Sequence, residues 1–346
     1  MNFYCSVTEK DFVHKLGLNT VKTESGFFLS LDSGWSITND HAFKSAQTSW
    51  CRINFKDKLS IQTNNLRDFP IYYNNTEISN FKKLENLLPA DGELIWDMTM
   101  GNTITWKNNF YPEYLNLTLN FDQSHELLFE SLSENVERFA TANNNTVFVP
   151  VQNGIDTLTV RSLLDFFKIK YELFDLPKTD NFIKGLQKEL GKSYWGFTQI
   201  KEIKNAVIAT GFYGDEWILR NPYYVHALLS RKDIDIVNVF DKNRDCYMTN
   251  WFDQHYREKC ERPVELTIAQ LQQMLCNDYQ IWPINDTSFF SPLKHNTLLK
   301  LLHADTETII GQVTNATLSK SIIERCNPDL LGKLEHSKNA SDPEYF

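Results

Sequence analysis

Thr146-Val-Phe-Val-Pro-Val151, then Gln152-Asn-Gly-Ile-Asp-Thr157, then Leu158 onward: in this stretch an apolar run gives way to a polar turn and then to helix-spaced apolar residues. A short β-branched apolar run of this kind suits a strand buried on both faces, and the turn residues end it. The periodicity from Leu158 to Phe167 predicts a helix, and Ile169-Lys-Tyr-Glu-Leu-Phe174 predicts the next strand. Further on, Asn205-Ala-Val-Ile-Ala-Thr210 predicts a strand that opens onto Gly211-Phe-Tyr-Gly-Asp-Glu216 and another helical stretch. Strands alternating with helices predict an α/β fold with a doubly wound parallel sheet, covered on both faces.

Upstream the period changes. Leu127, Leu128, Leu132, Val136 and Phe139 fall on one face of a helix expected to start at Ser124, with Glu126 nearby, and to run to about Thr141. Before it, short alternating runs separated by turn formers predict strands. These are Gly26-Phe-Phe-Leu-Ser-Leu31, Cys51-Arg-Ile-Asn-Phe55, Leu59-Ser-Ile-Gln-Thr63, Pro70-Ile-Tyr-Tyr73, Glu93-Leu-Ile-Trp96 and Leu115-Asn-Leu-Thr-Leu-Asn-Phe121. From Leu266 onward the pattern reads as mostly helical. Two domains follow, a β-rich one over residues 1–122 and an α/β one over residues 123–346 with a helical C-terminal part.

Composition narrows the classes. The chain of 346 residues carries 44 acidic against 35 basic residues, a formal charge of −9, with no long Lys/Arg run. A duplex-binding surface needs many phosphate-neutralising cations, so no nucleic acid is expected as a partner. No apolar run reaches the ~18 residues of a membrane helix, so no membrane is expected either. The opening Met1-Asn-Phe-Tyr-Cys-Ser6 has no basic segment followed by an apolar one, and the six cysteines are scattered without CxxC spacing. Both observations predict a cytoplasmic protein with reduced thiols. Cys246, His255 and Cys260 share one segment but lack the paired short knuckle of structural zinc sites, and they read as scattered residues.

A buried strand that runs into a glycine turn and then a helix brings backbone N–H groups and the positive helix end together, which suits an anion. Asp156 is acidic there, which makes sense if a divalent cation joins it to phosphate; the plain alternative is a turn in which Asp156 caps the helix. In a doubly wound sheet, ligands bind at the carboxyl ends of strands, so Thr210-Gly-Phe-Tyr-Gly-Asp-Glu216 can offer Asp215 and Glu216 to the same cation. Its plain alternative is a solvated Asp-Glu turn.

These segments resemble a family. Glu126 to Leu164, with its helix, strand, Gln152-Asn-Gly-Ile-Asp-Thr157 turn and helix, looks like the ATP pyrophosphatase domain of asparagine synthetases and β-lactam synthetases, whose loop reads Ser-Gly-Gly-x-Asp-Ser. Leu66-Arg-Asp-Phe-Pro-Ile-Tyr-Tyr73 resembles the Asp-x-x-Gly-x-x-Pro-Leu-Tyr-Tyr element of the family's N-terminal, Ntn-type glutaminase domain. Thr210 to Glu216 resembles its Gly-x-Gly-x-Asp-Glu loop, and Ser337-Lys-Asn-Ala-Ser-Asp342 is similar to the segment with its catalytic lysine. The resemblance implies an ATP- and magnesium-dependent ligase: a small-molecule carboxylate is adenylated, pyrophosphate leaves, and an amine or ammonia attacks. It implies that Asp156, Asp215 and Glu216 bind Mg2+ and that Gln152, Asn153, Gly154, Asp156, Thr157, Gly211 and Gly214 surround the nucleotide. Lys338 would stabilise charge on the leaving phosphate oxygens, or be a solvated tail lysine. A second copy of the chain is a further candidate partner.

The departures define the rival reading. Gln152 and Asn153 add bulk where the family has Ser-Gly. Phe212 stands where the family has Glu or Tyr and cannot move a proton, which leaves Tyr213 as the substitute. The glutaminase nucleophile is a Cys at position 2, and here residue 2 is Asn, so no glutaminase activity is expected from Cys5 or elsewhere. The alternative is therefore an inactive relative kept as a nucleotide-binding or assembly module.

Overall fold

The computed structural model describes residues 3–6, 12–14, 20–23, 26–30, 50–55, 59–63, 71–74, 77–79, 86–87, 92–97, 103–108, 117–143, 146–174, 193–195, 206–211, 214–221, 225, 228–229, 279–281, 288–293 and 295–335. The N-terminal elements are all strands: β1 (Phe3–Ser6), β2 (Phe12–His14), β3 (Thr20–Thr23), β4 (Gly26–Ser30), β5 (Trp50–Phe55), β6 (Leu59–Thr63), β7 (Tyr72–Tyr73), β8 (Glu77–Ser79), β9 (Asn86–Leu87), β10 (Gly92–Asp97) and β11 (Thr103–Asn108). They form two antiparallel sheets, in the orders β2-β1-β8-β7-β9 and β11-β10-β6-β5-β4-β3. Alternation is what the second sheet needs, since Leu59, Ile61 and Leu94 are buried while Ser60, Gln62 and Glu93 are only partly so. Across the strands, Ser60 Oγ donates to Glu93 Oε1 over 3.1 Å.

The C-terminal elements are mixed. Helix α1 (Phe121–Ala142) leads to β12 (Thr146–Pro150), α2 (Ile155–Phe166) and β13 (Tyr171–Phe174). Then follow β14 (Ser193–Trp195), β15 (Ala206–Ala209), the single turn α3 (Gly214–Trp217), β16 (Tyr279–Ile281) and β17 (Ser288–Phe290). A 3-10 segment over Asn296–His303, α4 (Thr306–Asn315), α5 (Thr317–Cys326) and a second 3-10 segment over Pro328–Lys333 complete the order. Strands β13-β12-β15-β17 make one sheet, parallel throughout. The protein is thus broadly α/β, with helix and strand mixed around a parallel sheet. None of its described helices is long and apolar enough to cross a membrane.

The helix expected from Ser124 begins three residues earlier. Asn120 caps it: Gln123 N–H donates to Asn120 Oδ1 at 2.9 Å, and Asn120 N–H donates to Gln123 Oε1 at 3.0 Å, a reciprocal capping box. Ser124 is buried inside the first turn instead. This start also removes the strand expected over Leu115–Phe121, of which residues 117–121 are described: Leu119 makes a lone parallel bridge to Ala304, and Phe121 is already helical. A second correction concerns the region from Leu266 onward, expected to be mostly helical, which holds two strands: β16, paired in parallel with β14, and β17. Three residues carry no readable period, and pairing with β14 and with β15 makes them strands.

The core gathers one stripe of α1 (Leu128, Leu132, Val136, Phe139), Val147 and Val149 of β12, and Val160, Leu163 and Leu164 of α2. Phe139 stacks on Phe290 of β17 with ring centroids 4.0 Å apart. A smaller cluster joins Ile155 and Leu158 at the start of α2 to Ile323 of α5 and Leu330 of the last 3-10 segment. It holds the C-terminal segment beside the loop that follows β12.

Candidate functional site

The sheet order itself selects a place. From β12 the chain moves outward to β13, and β15 then pairs with the opposite edge of β12. Between β12 and β15 the winding direction reverses, and at such a point the loops leaving the two strands diverge and leave a crevice at their carboxyl ends. The two loops singled out from the sequence are the ones that leave these strands.

The first loop is short and hydrogen-bonded. Val151 N–H donates to Phe174 O and Gln152 N–H to Pro150 O, each at 2.8 Å, which turns the chain out of the sheet. Gly154 takes the N-cap position of α2 with extended backbone (φ −68°, ψ 150°), and Leu158 N–H donates to its carbonyl. Among the described residues no side chain caps this helix. Its first-turn N–H groups therefore keep their hydrogen-bonding capacity at the positive end of the helix. Asp156 sits within that first turn, beyond the cap, so the capping role open to it from the sequence is taken by Gly154.

The second loop is pressed onto the first. A Cβ on Gly211 would lie 2.6 Å from the Asp156 carbonyl carbon and 2.6 Å from Thr157 N, and one on Gly214 would lie 2.3 Å from Asp156 Oδ1. A side chain at Gly211 would run into backbone and one at Gly214 would displace the Asp156 carboxyl, so these two glycines let the loop after β15 reach the start of α2. At Gly154, by contrast, a Cβ would meet nothing within 4 Å among the described residues. Past α3, Leu219 adopts left-handed backbone (φ 53°), and the N–H groups of Arg220 and Asn221 both donate to Asp215 O, at 3.0 and 2.8 Å. This closure turns the chain back on itself and aims Arg220 at the two acids.

Arg220 spans them. Its Nη1 lies 2.8 Å from Asp156 Oδ1 and its Nη2 lies 2.8 Å from Asp215 Oδ1, with side-chain exposures of 16% for Arg220, 20% for Asp156 and 33% for Asp215. A guanidinium can serve two carboxylates at once because its donors lie in a rigid fork. Burial pushes the Asp156 carboxyl up from 3.8 to about 6; Asp215 adds to the rise and Arg220 opposes it.

Gly154, Asp156, Gly211, Gly214 and Asp215 therefore converge, with Thr157 buried beneath them. Gln152 is exposed. Asn153 is tied to the C-terminal segment: its Nδ2 donates to Glu335 Oε1 at 2.9 Å, and Glu335 N–H donates to Asn153 O at 3.2 Å. Phe212, Tyr213, Lys338 and the Glu216 side chain lie outside the described residues, as do Cys246, His255 and Cys260. Lys338 is three residues beyond the Glu335 anchor. Cys5 is in β1, where Phe3 and Tyr4 before it pair with His14 and Val13; exposing Cys5 as a chain end would strip β1 of those rungs.

Three residues of the site were not anticipated. Arg220 left no signal, because its partner Asp156 is 64 positions away and the approach depends on left-handed backbone at a leucine. Glu335 is more remote still, 182 positions from Asn153. Gln312 is fully buried and holds the turn before Arg220 by donating from Nε2 to Ile218 O at 2.9 Å, while its Oε1 accepts from Leu318 N–H at 2.8 Å at the start of α5. A glutamine in an apolar helix, followed by α5 without a capping side chain of its own, was its only trace.

Uncapped helix N–H groups suit phosphate oxygens, and two carboxylates facing them suit a divalent cation that also takes phosphate and water oxygens. Asp156 and Asp215 are the two carboxylates that the described residues bring together there. A carboxylate pair of this kind is chemically compatible with magnesium, whose remaining ligands are phosphate and water oxygens. No protein-family model matches this sequence, and no curated protein matches it, so the chemistry of the site rests on its own residues.

Proposed function

We propose that the protein is an ATP-dependent carbon–nitrogen ligase of the asparagine synthetase type. The observation that carries the reading is the convergence at the β12/β15 reversal, where Gly211 and Gly214 let the second acidic loop close on the first turn of α2. Residues 123–346 form the doubly wound ATP pyrophosphatase domain in this reading, and residues 1–122 a glutaminase-like domain. The compartment that suits it is the cytoplasm.

The N–H groups of α2 after Gly154 bind phosphate oxygens, and Asp156 and Asp215 hold Mg2+, with Glu216 as a further ligand. Magnesium supplies positive charge against the phosphates. A carboxylate oxygen of the substrate attacks the α-phosphorus, the bond to the bridging oxygen breaks, and pyrophosphate leaves. An amine nitrogen then attacks the acyl carbon, AMP leaves, and the nitrogen loses a proton, the step in which Tyr213 stands in for the Glu or Tyr that Phe212 replaces. Lys338, continuing from the Glu335 anchor, stabilises the leaving oxygens. The nitrogen comes from free ammonia or an amine substrate.

One observation favours the inactive-module reading, namely that Arg220 already neutralises the acids a metal would need. Incubating the protein with ATP, Mg2+ and a panel of carboxylates and amines, with pyrophosphate as the readout, separates the two. The ligase releases pyrophosphate with at least one carboxylate. No release across the panel, with ATP still bound, leaves the module.

A further inference from the structure

Arg220 occupies the space between two acids that come from different strand ends, and the glycine contacts fix how far apart those acids stand. It engages Oδ1 of both, through separate nitrogens, at 2.8 Å each. Guanidinium stays charged at any pH a protein survives, so Arg220 does not leave by losing a proton of its own. A divalent ion placed between Asp156 and Asp215 would need the same oxygens and would face a fixed positive charge a few ångströms away. Two cations cannot share the place.

We propose that Arg220 is a built-in counter-cation that competes with the divalent ion for Asp156 and Asp215, and that it leaves them for the phosphate oxygens of the nucleotide when metal enters. This rests on the nucleotide-site reading above and adds a regulator to it. Arg220 is well made for both states, because its fork pairs bidentately with carboxylates and with phosphate alike. The turn that carries it is set by Leu219 and by Gln312 on Ile218 O, so the backbone stays in place while the side chain changes partner. The consequence is an ordered site: metal alone binds weakly, metal with nucleotide binds well, and the carboxylates stay neutralised in between. By reciprocity, whatever draws Arg220 away raises metal affinity by the factor with which metal raises its own.

The test uses Mn2+ alone, without nucleotide, titrated into the full chain and followed by electron paramagnetic resonance of the free ion. R220Q, which keeps polarity and loses the charge, is expected to bind Mn2+ at least about tenfold more tightly than wild type, given the strength of two charge-assisted hydrogen bonds. R220K, a single point charge that cannot fork, falls between them. Equal or weaker binding by R220Q overturns the proposal and leaves the ligase reading standing. No Mn2+ binding by any of the three proteins at millimolar concentration overturns the proposal and removes the metal from the ligase reading as well. Should R220Q fail to fold, wild type decides: the Arg220 Nε–H resonance, identified by its loss in R220K, shifts when Mg2+ and ATP are added together. A resonance that stays fixed while both bind overturns the proposal.

Discussion

Replacing Gly211 by alanine tests the contact on which the site depends. The added Cβ would sit 2.6 Å from two backbone atoms, the Asp156 carbonyl carbon and Thr157 N, and 2.7 Å from Asp156 Cβ. An ordinary contact needs roughly 3.4 Å or more, and backbone in the first turn of a helix cannot rotate out of the way, so the second loop must retreat by nearly an ångström. Insertions of this size into packed structure cost typically 1–3 kcal/mol. The retreat also draws Asp215 from Asp156 and breaks the double engagement of Arg220, which places Gly211→Ala toward the upper part of that range. Gly154→Ala is the matched control, since its Cβ meets nothing within 4 Å among the described residues and its backbone angles are open to any residue. Urea unfolding followed by circular dichroism measures both, with the control expected to change by about 0.5 kcal/mol or less. If Gly211→Ala is no less stable than Gly154→Ala, the close approach of the two loops is wrong and the site built on it falls.

Other expectations follow from the same geometry. The Asp156 carboxyl is raised from 3.8 to about 6 in the folded chain, so the stability it contributes is fully present below about pH 4 and is lost as pH rises through 6. At about 1.4 kcal/mol per pH unit the span is worth up to about 3 kcal/mol, less some screening by solvent. Asp156→Asn should abolish that slope in urea titrations between pH 4 and 7, and an unchanged slope would clear Asp156 of it. Gln312→Ala leaves Ile218 O and Leu318 N–H without their side-chain partner in a fully buried place, and a loss of about 2–4 kcal/mol is expected in the same unfolding assay. Gly154→Ser adds the missing cap to α2: the fold should gain a few tenths of a kcal/mol while ATP affinity falls, because the serine oxygen takes N–H groups meant for phosphate. Tighter ATP binding by that variant would contradict the phosphate role of the loop.

The strand, turn and helix around Gly154 were legible because each rests on local signals: a short apolar run, a glycine and a 3.6-residue period. Gly211, Gly214 and Asp215 were legible as a motif, yet the reason for the glycines was not, since it lies in the backbone of Asp156 across the sheet. The start of α1 was hidden by its own neighbourhood. Asn120-Phe-Asp-Gln123 is a capping box, but the alternation of Leu115 to Phe121 imitates a strand. β17 was illegible for a different reason: its three residues are a strand because β15 pairs with them. Arg220 was the most consequential omission. Its position depends on a left-handed leucine and on a partner far along the chain, and no window of sequence contains both.

Isothermal calorimetry of ATP with Mg2+ against wild type and Asp156→Asn tests the central claim most directly. The account predicts saturable one-to-one binding to wild type that weakens at least about tenfold in the variant, the loss expected when a charged ligand to a buried site is removed. Binding of equal strength to both proteins, or no heat with either at millimolar ATP, would contradict a nucleotide site at Gly154 to Thr157.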